Sequence, residues 1–145
     1  MQVVQILREK GRDVVALPSE ATLSEAARLL ARKRIGALVV RDASGALVGI
    51  LSERDVVRAV AEESVSALAR PVSAIMTREV ATCTELDTVE ELMEMMTQGR
   101  FRHVPVLDEH NQICGLVSIG DVVKMHIEET MREAANLRQY IAAAG

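Results

Sequence analysis

The chain has 145 residues, of which 49% are apolar but only 1% aromatic, and carries a formal net charge of −4. Its length suits one ordinary domain or two small packed repeats, and with Trp absent the core has to be built from Val, Leu, Ile, Ala and Met. Without a long basic run or aromatic stacking platforms, an acidic chain lacks the means to grip a phosphate backbone or stack unpaired bases, which sets nucleic-acid binding aside.

In chain order, residues 2–10 predict a short helix with Val3, Val4, Ile6 and Leu7 on one face. Gly11 ends it. Asp13 to Leu17 is a short extended piece terminated by Pro18. Thr22-Leu23-Ser24-Glu25 is a capping box, followed by Leu23, Ala26, Ala27 and Leu30 at helical spacing. Arg32, Lys33 and Arg34 occupy the last turn, where the helix dipole favours positive charge. Gly36 to Arg41 is an apolar strand, Asp42 to Gly45 a hairpin turn, Ala46 to Leu51 the return strand, and Glu53 to about Ala61 a second helix. Residues 62–72 form a softer connection punctuated by Pro71, and the repeat boundary falls between 66 and 67. That gives repeats at 1–66, with the N-terminal helix, and 67–145, with a long C-terminal helix.

In the second half, Ser73 to Met76 is similar to the Gln5-Ile6-Leu7 opening. Val80 to Thr84 is extended, and Thr88-Val89-Glu90-Glu91 is another capping box. Val89, Leu92, Met93 and Met96 repeat the apolar stripe, with Met as core filler. Arg102 to Leu107 and Ile113 to Val117 are hairpin strands around Asp108 to Asn111. The helix from Ile119 to about Ile141 is longer than its counterpart and is a candidate partner-contacting element.

The two halves are one pattern written twice. Gly49-Ile50-Leu51-Ser52-Glu53-Arg54-Asp55 returns as Gly115-Leu116-Val117-Ser118-Ile119-Gly120-Asp121, an offset of 118 − 52 = 66 residues that also relates Thr22 to Thr88 and Arg34 to Arg100. A single Ser-x-x-Asp is a common helix cap; two in register mark an internal duplication. Each repeat reads β-α-β-β-α, an α/β (α+β) unit. At about 60 residues neither repeat buries enough to stand alone, so the two should pack together in pseudo-two-fold fashion, sheet to sheet.

A helix N-terminus offers free N–H groups and positive potential to a phosphate. A Ser hydroxyl there can donate to phosphate oxygen, and an acidic residue accepts from a ribose diol. Ser52 with Asp55, and Ser118 with Asp121, therefore suit a ribose phosphate. Arg100, Arg102 and His103 bring positive charge to the start of the second repeat's first hairpin strand. Their counterparts Arg34, Ile35, Gly36 and Ala37 leave room with little charge, so Arg54 and Lys33 are the nearer cations for the first motif, and the two sites should be unequal. No nucleophile elbow, P-loop or dinucleotide fingerprint is present, and no Cys or His spacing suits a metal. Catalysis and metal binding are not expected. Cys83 and Cys114 fit a reducing compartment. Residues 1–10 lack a signal-peptide core and there is no long apolar run, so a cytoplasmic chain without a membrane span is expected.

The paired Gly-x-x-Ser-x-x-Asp, the Arg-His-Val-Pro-Val stretch at 102–106 and Ile-Met-Thr at 75–77 resemble a tandem pair of CBS domains, a Bateman module, and in particular its small stand-alone bacterial members. The resemblance implies clefts between the repeats that bind AMP, ADP, ATP, NAD(H) or S-adenosylmethionine. It assigns ribose to Asp55 and Asp121, phosphate to Ser52 and Ser118, further phosphate contacts to Arg102 and His103 ahead of Pro105, and adenine or phosphate lining to Thr82 and Thr84. With Gly36-Ala37, and without hydroxyls at residues 16–18, the cleft of the first repeat is expected to be the poorer in phosphate contacts. AMP-type ligands and NAD(H) lead, because a cation-rich strand repels the sulfonium of S-adenosylmethionine. The resemblance also implies a disc-shaped homodimer and a separate effector protein that reads the ligand-bound state. The alternative is an interaction scaffold with vestigial clefts, working through its last helix.

Overall fold

The computed structural model describes residues 1–144. Helix α1 (Val3–Lys10) leads to β1 (Ala16–Pro18), α2 (Leu23–Lys33), β2 (Ala37–Arg41), β3 (Leu47–Ser52) and α3 (Glu53–Glu63). The connection that the sequence leaves soft contains a 3-10 segment, Ser64–Ala69, and a short helix α4 (Val72–Ile75). Then follow β4 (Cys83–Thr84), α5 (Val89–Gly99), β5 (His103–Leu107), β6 (Ile113–Ser118) and α6 (Ile119–Ala144).

Each repeat holds a three-stranded sheet, β1-β2-β3 or β4-β5-β6, with its first pair parallel and its second antiparallel. The duplication extends to irregularities: both hairpins shift register at one place, between Val40 and Arg41 and between Val106 and Leu107. β1 ends at Pro18, as expected, but Pro18 is its last paired residue rather than the first beyond it. It pairs with Arg41 on an edge strand, where a missing N–H is tolerated.

Local chemistry sets the helix starts. The Thr22 and Thr88 hydroxyl oxygens each accept from the N–H three residues on, both at 3.1 Å. Glu25 and Glu91 do not bond back, so these two caps are half of the predicted boxes. Both helices end on an arginine in the left-handed region, Arg34 at φ 56° and Arg100 at φ 57°. A residue with a Cβ is strained there, and it delivers a guanidinium to the start of the next strand.

The cut at 66/67 does not divide the core. The N-terminal helix α1 packs into the second repeat: Val3, Ile6 and Leu7 join Val89, Leu92, Val104, Val106 and Val117 in one buried cluster. Conversely Ala67, Val72 and Met76 join the first repeat's cluster around Leu23, Leu38 and Leu51. Backbone bonds anchor the exchange. Val3 N–H donates to the Asp87 carbonyl at 2.9 Å, and Val72 N–H donates to the Ala21 carbonyl at 2.7 Å. This explains the glycine of each motif. A Cβ on Gly115 would approach Leu7 to 2.6 Å, and one on Gly49 would approach Met76 to 2.4 Å. Only a bare backbone admits the visiting side chain.

The strand backs face each other. Leu38 and Val40 belong to the first core, whereas Ala37 and Val39 are buried yet lie outside both clusters. The matching face of β5 carries His103 and buried Pro105.

Leu7→Ala should cost about 3 kcal/mol, the usual scale for a fully buried leucine. Amide hydrogen exchange should then rise more in β4–β6 and α5 than in β1–β3. The reverse distribution would contradict the exchange of opening helices.

Candidate functional site

Both Ser-x-x-Asp turns are closed capping boxes at strand-to-helix junctions. The Ser52 N–H and Oγ–H donate to Asp55 Oδ2 at 2.9 and 3.1 Å, and the Asp55 N–H donates to Ser52 Oγ at 3.3 Å. In the second copy the same bonds measure 2.9, 3.0 and 3.2 Å. The single hydroxyl proton of each serine is thus committed to its own aspartate. A phosphate at the turn would have to draw its donors from backbone N–H groups and arginines rather than from Ser52 or Ser118. Asp55 is 9% exposed, and its second oxygen, Oδ1, has only Arg58 Nη1 nearby at 3.7 Å.

The clefts are crossed. A cavity of about 420 Å³ lies over Ser52 and Asp55, and its far wall is Arg100, Phe101, Arg102 and His103 of the other repeat. A cavity of about 300 Å³ lies at Ser118, walled by Arg34, Ile35, Gly36 and Ala37 of the first repeat. The cation-rich strand of the second repeat therefore faces Asp55 rather than the motif of its own repeat, whereas Gly36 borders both cavities and Ala37 only the one at Ser118. Arg54 lines the Asp55 cleft, as read from the motif; Lys33 lines neither of the two.

Thr82 and Thr84 line neither cleft. Thr84 sits in β4 beside Leu107, with its N–H donating to Asp87 Oδ2 at 2.8 Å. The segment that reaches the cavity is Thr77 to Ala81. Thr77 exchanges two backbone bonds with Ile50, at 2.9 and 3.0 Å, and so is tied to the edge of the first sheet. The hydroxyl at Thr77 was already visible in the Ile-Met-Thr stretch. Pro105 is buried inside β5 opposite Leu116 and does not line a cleft.

His103 borders both cavities. Its ring covers Gly36, where a Cβ would meet Cε1 at 3.0 Å. Burial first, and then the Lys10 ammonium and the Arg102 guanidinium, hold His103 below its ordinary value of 6.5 against the opposite pull of Glu53 and Asp121. For Asp121, burial acts to raise the carboxyl, but the Lys10 ammonium and the Ser118 donors outweigh it and hold the group below the ordinary 3.8. Lys10 Nζ donates to Asp121 Oδ2 at 2.6 Å. Nothing in the motif spacing pointed to Lys10, because the two residues are 111 positions apart.

Outside the clefts, Cys83 is a buried thiol pushed up to about 12 by burial and then by Asp87, which makes it unreactive. Glu90, His126 and Glu129 bring donor atoms within 4.8 Å of one another, a cluster that sequence spacing did not reveal. There the Met1 ammonium pairs with Glu129 at 3.1 Å and supplies positive charge. Among the described residues, no helix is long and apolar enough to cross a membrane.

The model of the CBS domain matches residues 4–62 and again 72–128. The chain belongs to the CBS domain family. A CBS-domain containing protein from Agrobacterium tumefaciens is 48% identical, with 85% of this chain and 91% of that chain aligned at a TM-score of 0.82. A CBS domain protein from Pyrobaculum aerophilum complexed with AMP is 32% identical over 83% of this chain and 89% of its own, TM-score 0.75. The CBS domain pair of protein MJ0100, in complex with 5′-methylthioadenosine and S-adenosyl-L-methionine, is 27% identical over 89% and 98%, TM-score 0.78. The chain spans 66% of the length of an uncharacterized Acidianus ambivalens protein that is 32% identical over 77% of this chain. The mixed α/β fold with two three-stranded sheets is the architecture shared with these CBS-domain structures.

The neutral imidazole makes a pH prediction. Its folded value lies below the unfolded 6.5, so the unfolded chain takes up a proton that the native state resists. Stability is unaffected well above 6.5 and falls as pH drops from there through the folded value. Urea midpoints at pH 7.5 and 5.5 should therefore differ less in His103→Gln than in the wild type.

Proposed function

We propose that this CBS pair is a non-catalytic regulatory module that binds an adenosine nucleotide, AMP, ADP, ATP or NAD(H), in the Asp55 cleft. One observation carries the reading. A buried carboxylate with a free oxygen lies across a 420 Å³ cavity from a wall bearing Arg100 and Arg102. The carboxylate suits a ribose diol, and the arginines suit a phosphate at the other end of the same molecule. The AMP complex of the Pyrobaculum aerophilum relative supports the ligand class. S-adenosylmethionine, held by the more distant MJ0100 pair, fits less well, because its sulfonium would face two guanidinium groups. The ligand would bridge residues of both repeats, so binding would favour one packing of the repeats over others, and an effector protein would read that choice.

A homodimer belongs to the same proposal. Ile119, Val123, Ile127 and Met131 form an exposed apolar stripe at four-residue spacing on α6, the kind of surface that marks a contact face. Sedimentation should give a dimer for the wild type and a monomer for Val123→Glu/Ile127→Glu. An unchanged dimer in that variant would move the contact elsewhere. If no nucleotide bound, the same stripe would favour the scaffold alternative.

Thermal shift tests the ligand reading. At about 100 times its dissociation constant, AMP should add about 2.7 kcal/mol, or roughly 5–10 °C in melting temperature for a chain of this size. Asp55→Ala should abolish the shift. Arg100→Gly should raise the melting temperature of the free protein, by relieving the left-handed strain at φ 57°, while weakening AMP. An undiminished shift in Asp55→Ala, or no shift in the wild type with any of the four nucleotides, would sink the reading.

A further inference from the structure

The two capping boxes match bond for bond and differ in the cation beside each carboxylate. Lys10, in the last turn of α1, donates from Nζ to Asp121 Oδ2 at 2.6 Å and to the Leu116 carbonyl at 2.7 Å. The residue 66 positions on, Met76, carries no charge, and its sulfur is instead packed over Gly49. The Asp55 carboxylate therefore faces its cavity without an ammonium. Its nearest cation is the Arg58 guanidinium at 3.7 Å, with a side chain 67% exposed.

We infer that Lys10 is a built-in occupant of the Asp121 seat, so that the chain has one open nucleotide cleft and one that it blocks itself. The inference rests on the nucleotide reading above and assigns unequal roles to its two sites. A ribose diol would bring two neutral O–H donors to the carboxylate. Lys10 already supplies a short charge-assisted bond, which is stronger than either. Lys10 shares Oδ2 with the Ser118 donors, and it is Lys10 rather than Asp121 that lines the cavity, so a sugar can reach the carboxylate only by displacing the ammonium from Asp121 and from the Leu116 carbonyl together. The competing cleft is also the smaller, about 300 Å³ against 420 Å³. Lys10 is 37% exposed, so it has a path outward into solvent, and the block is a tunable bias rather than a wall. The cleft is thereby selective. Ligands that offer a diol must compete for it, whereas the Asp55 cleft takes them freely.

Isothermal titration with AMP tests this on the full chain, comparing wild type, Lys10→Met, Lys10→Arg and the double variant Lys10→Met/Asp121→Ala. The wild type should bind one tight equivalent. Lys10→Met should show a second equivalent, at least roughly tenfold tighter than any second site in the wild type, given the modest strength of a half-exposed charged bond. The double variant should lose it again, and Lys10→Arg, which keeps the charge, should stay closed. Retained binding at the Asp55 cleft reports in the same experiment that each variant is folded. A second site that is unchanged or weaker in Lys10→Met overturns the inference while the nucleotide reading stands; weakening would make Lys10 a phosphate ligand instead. A wild type that binds nothing, with a Lys10→Met that binds one equivalent removable by Asp121→Ala, would uphold the block and overturn the Asp55 assignment. No binding in either overturns both.

Discussion

The chain depends on one small arrangement used twice: an aspartate that closes a capping box with the serine three residues before it. One carboxylate oxygen takes both serine donors and fixes the first turn of the helix. In the first copy that leaves a second oxygen on a carboxylate that is only 9% exposed and lines a cavity. A cap alone would need neither burial nor a cavity. A flexible aspartate alone would lose its orientation, and with it the preorganisation that makes a buried acceptor useful. The same bonds thus start a helix and fix the carboxylate to which the proposed function assigns recognition.

Crossing makes the arrangement a two-repeat property. Each repeat lends its opening helix to the core of the other, and each motif glycine is kept bare so that the visiting Leu7 or Met76 can fit. Each cleft accordingly draws its motif serine from one repeat and its far wall from the other. His103 stands where these exchanges meet, over Gly36 and beside both cavities. A molecule in either cleft touches the surface by which the repeats hold together, which is the physical requirement for a binding event to alter packing.

Most of the fold was legible from residue order because it is local. Thr22 and Thr88 mark helix starts, the stripes from Leu23 and Val89 mark buried faces, and the offset of 66 residues ties the copies together. The motif serines and aspartates were legible for the same reason. What could not be read was which repeat faces which. Strand alternation says that Arg102 and His103 point apart, but no periodicity says that they face the motif of the other repeat, or that Gly36 borders both cavities. Thr82 and Thr84 missed the cavity because a bridge between Ile50 and Thr77, a tertiary contact, decides which part of that segment lines it. Lys10 was invisible because its partner is brought to it only by the exchange of helices.

The length of the last helix has a mechanical consequence. α6 holds 26 residues, so at 1.5 Å per residue it is about 39 Å long. Residues 130–144 are all exposed. The capping box of Ser118 and Asp121 lies at the root of this rod, where Lys10 is also bound. The helix is a lever with its fulcrum at the proposed ligand seat. A tilt of about 5° at the root, smaller than ordinary scatter in helix packing, carries the free end through about 3 Å. A sub-ångström adjustment at one carboxylate becomes, at the tip, a displacement as large as a side-chain contact.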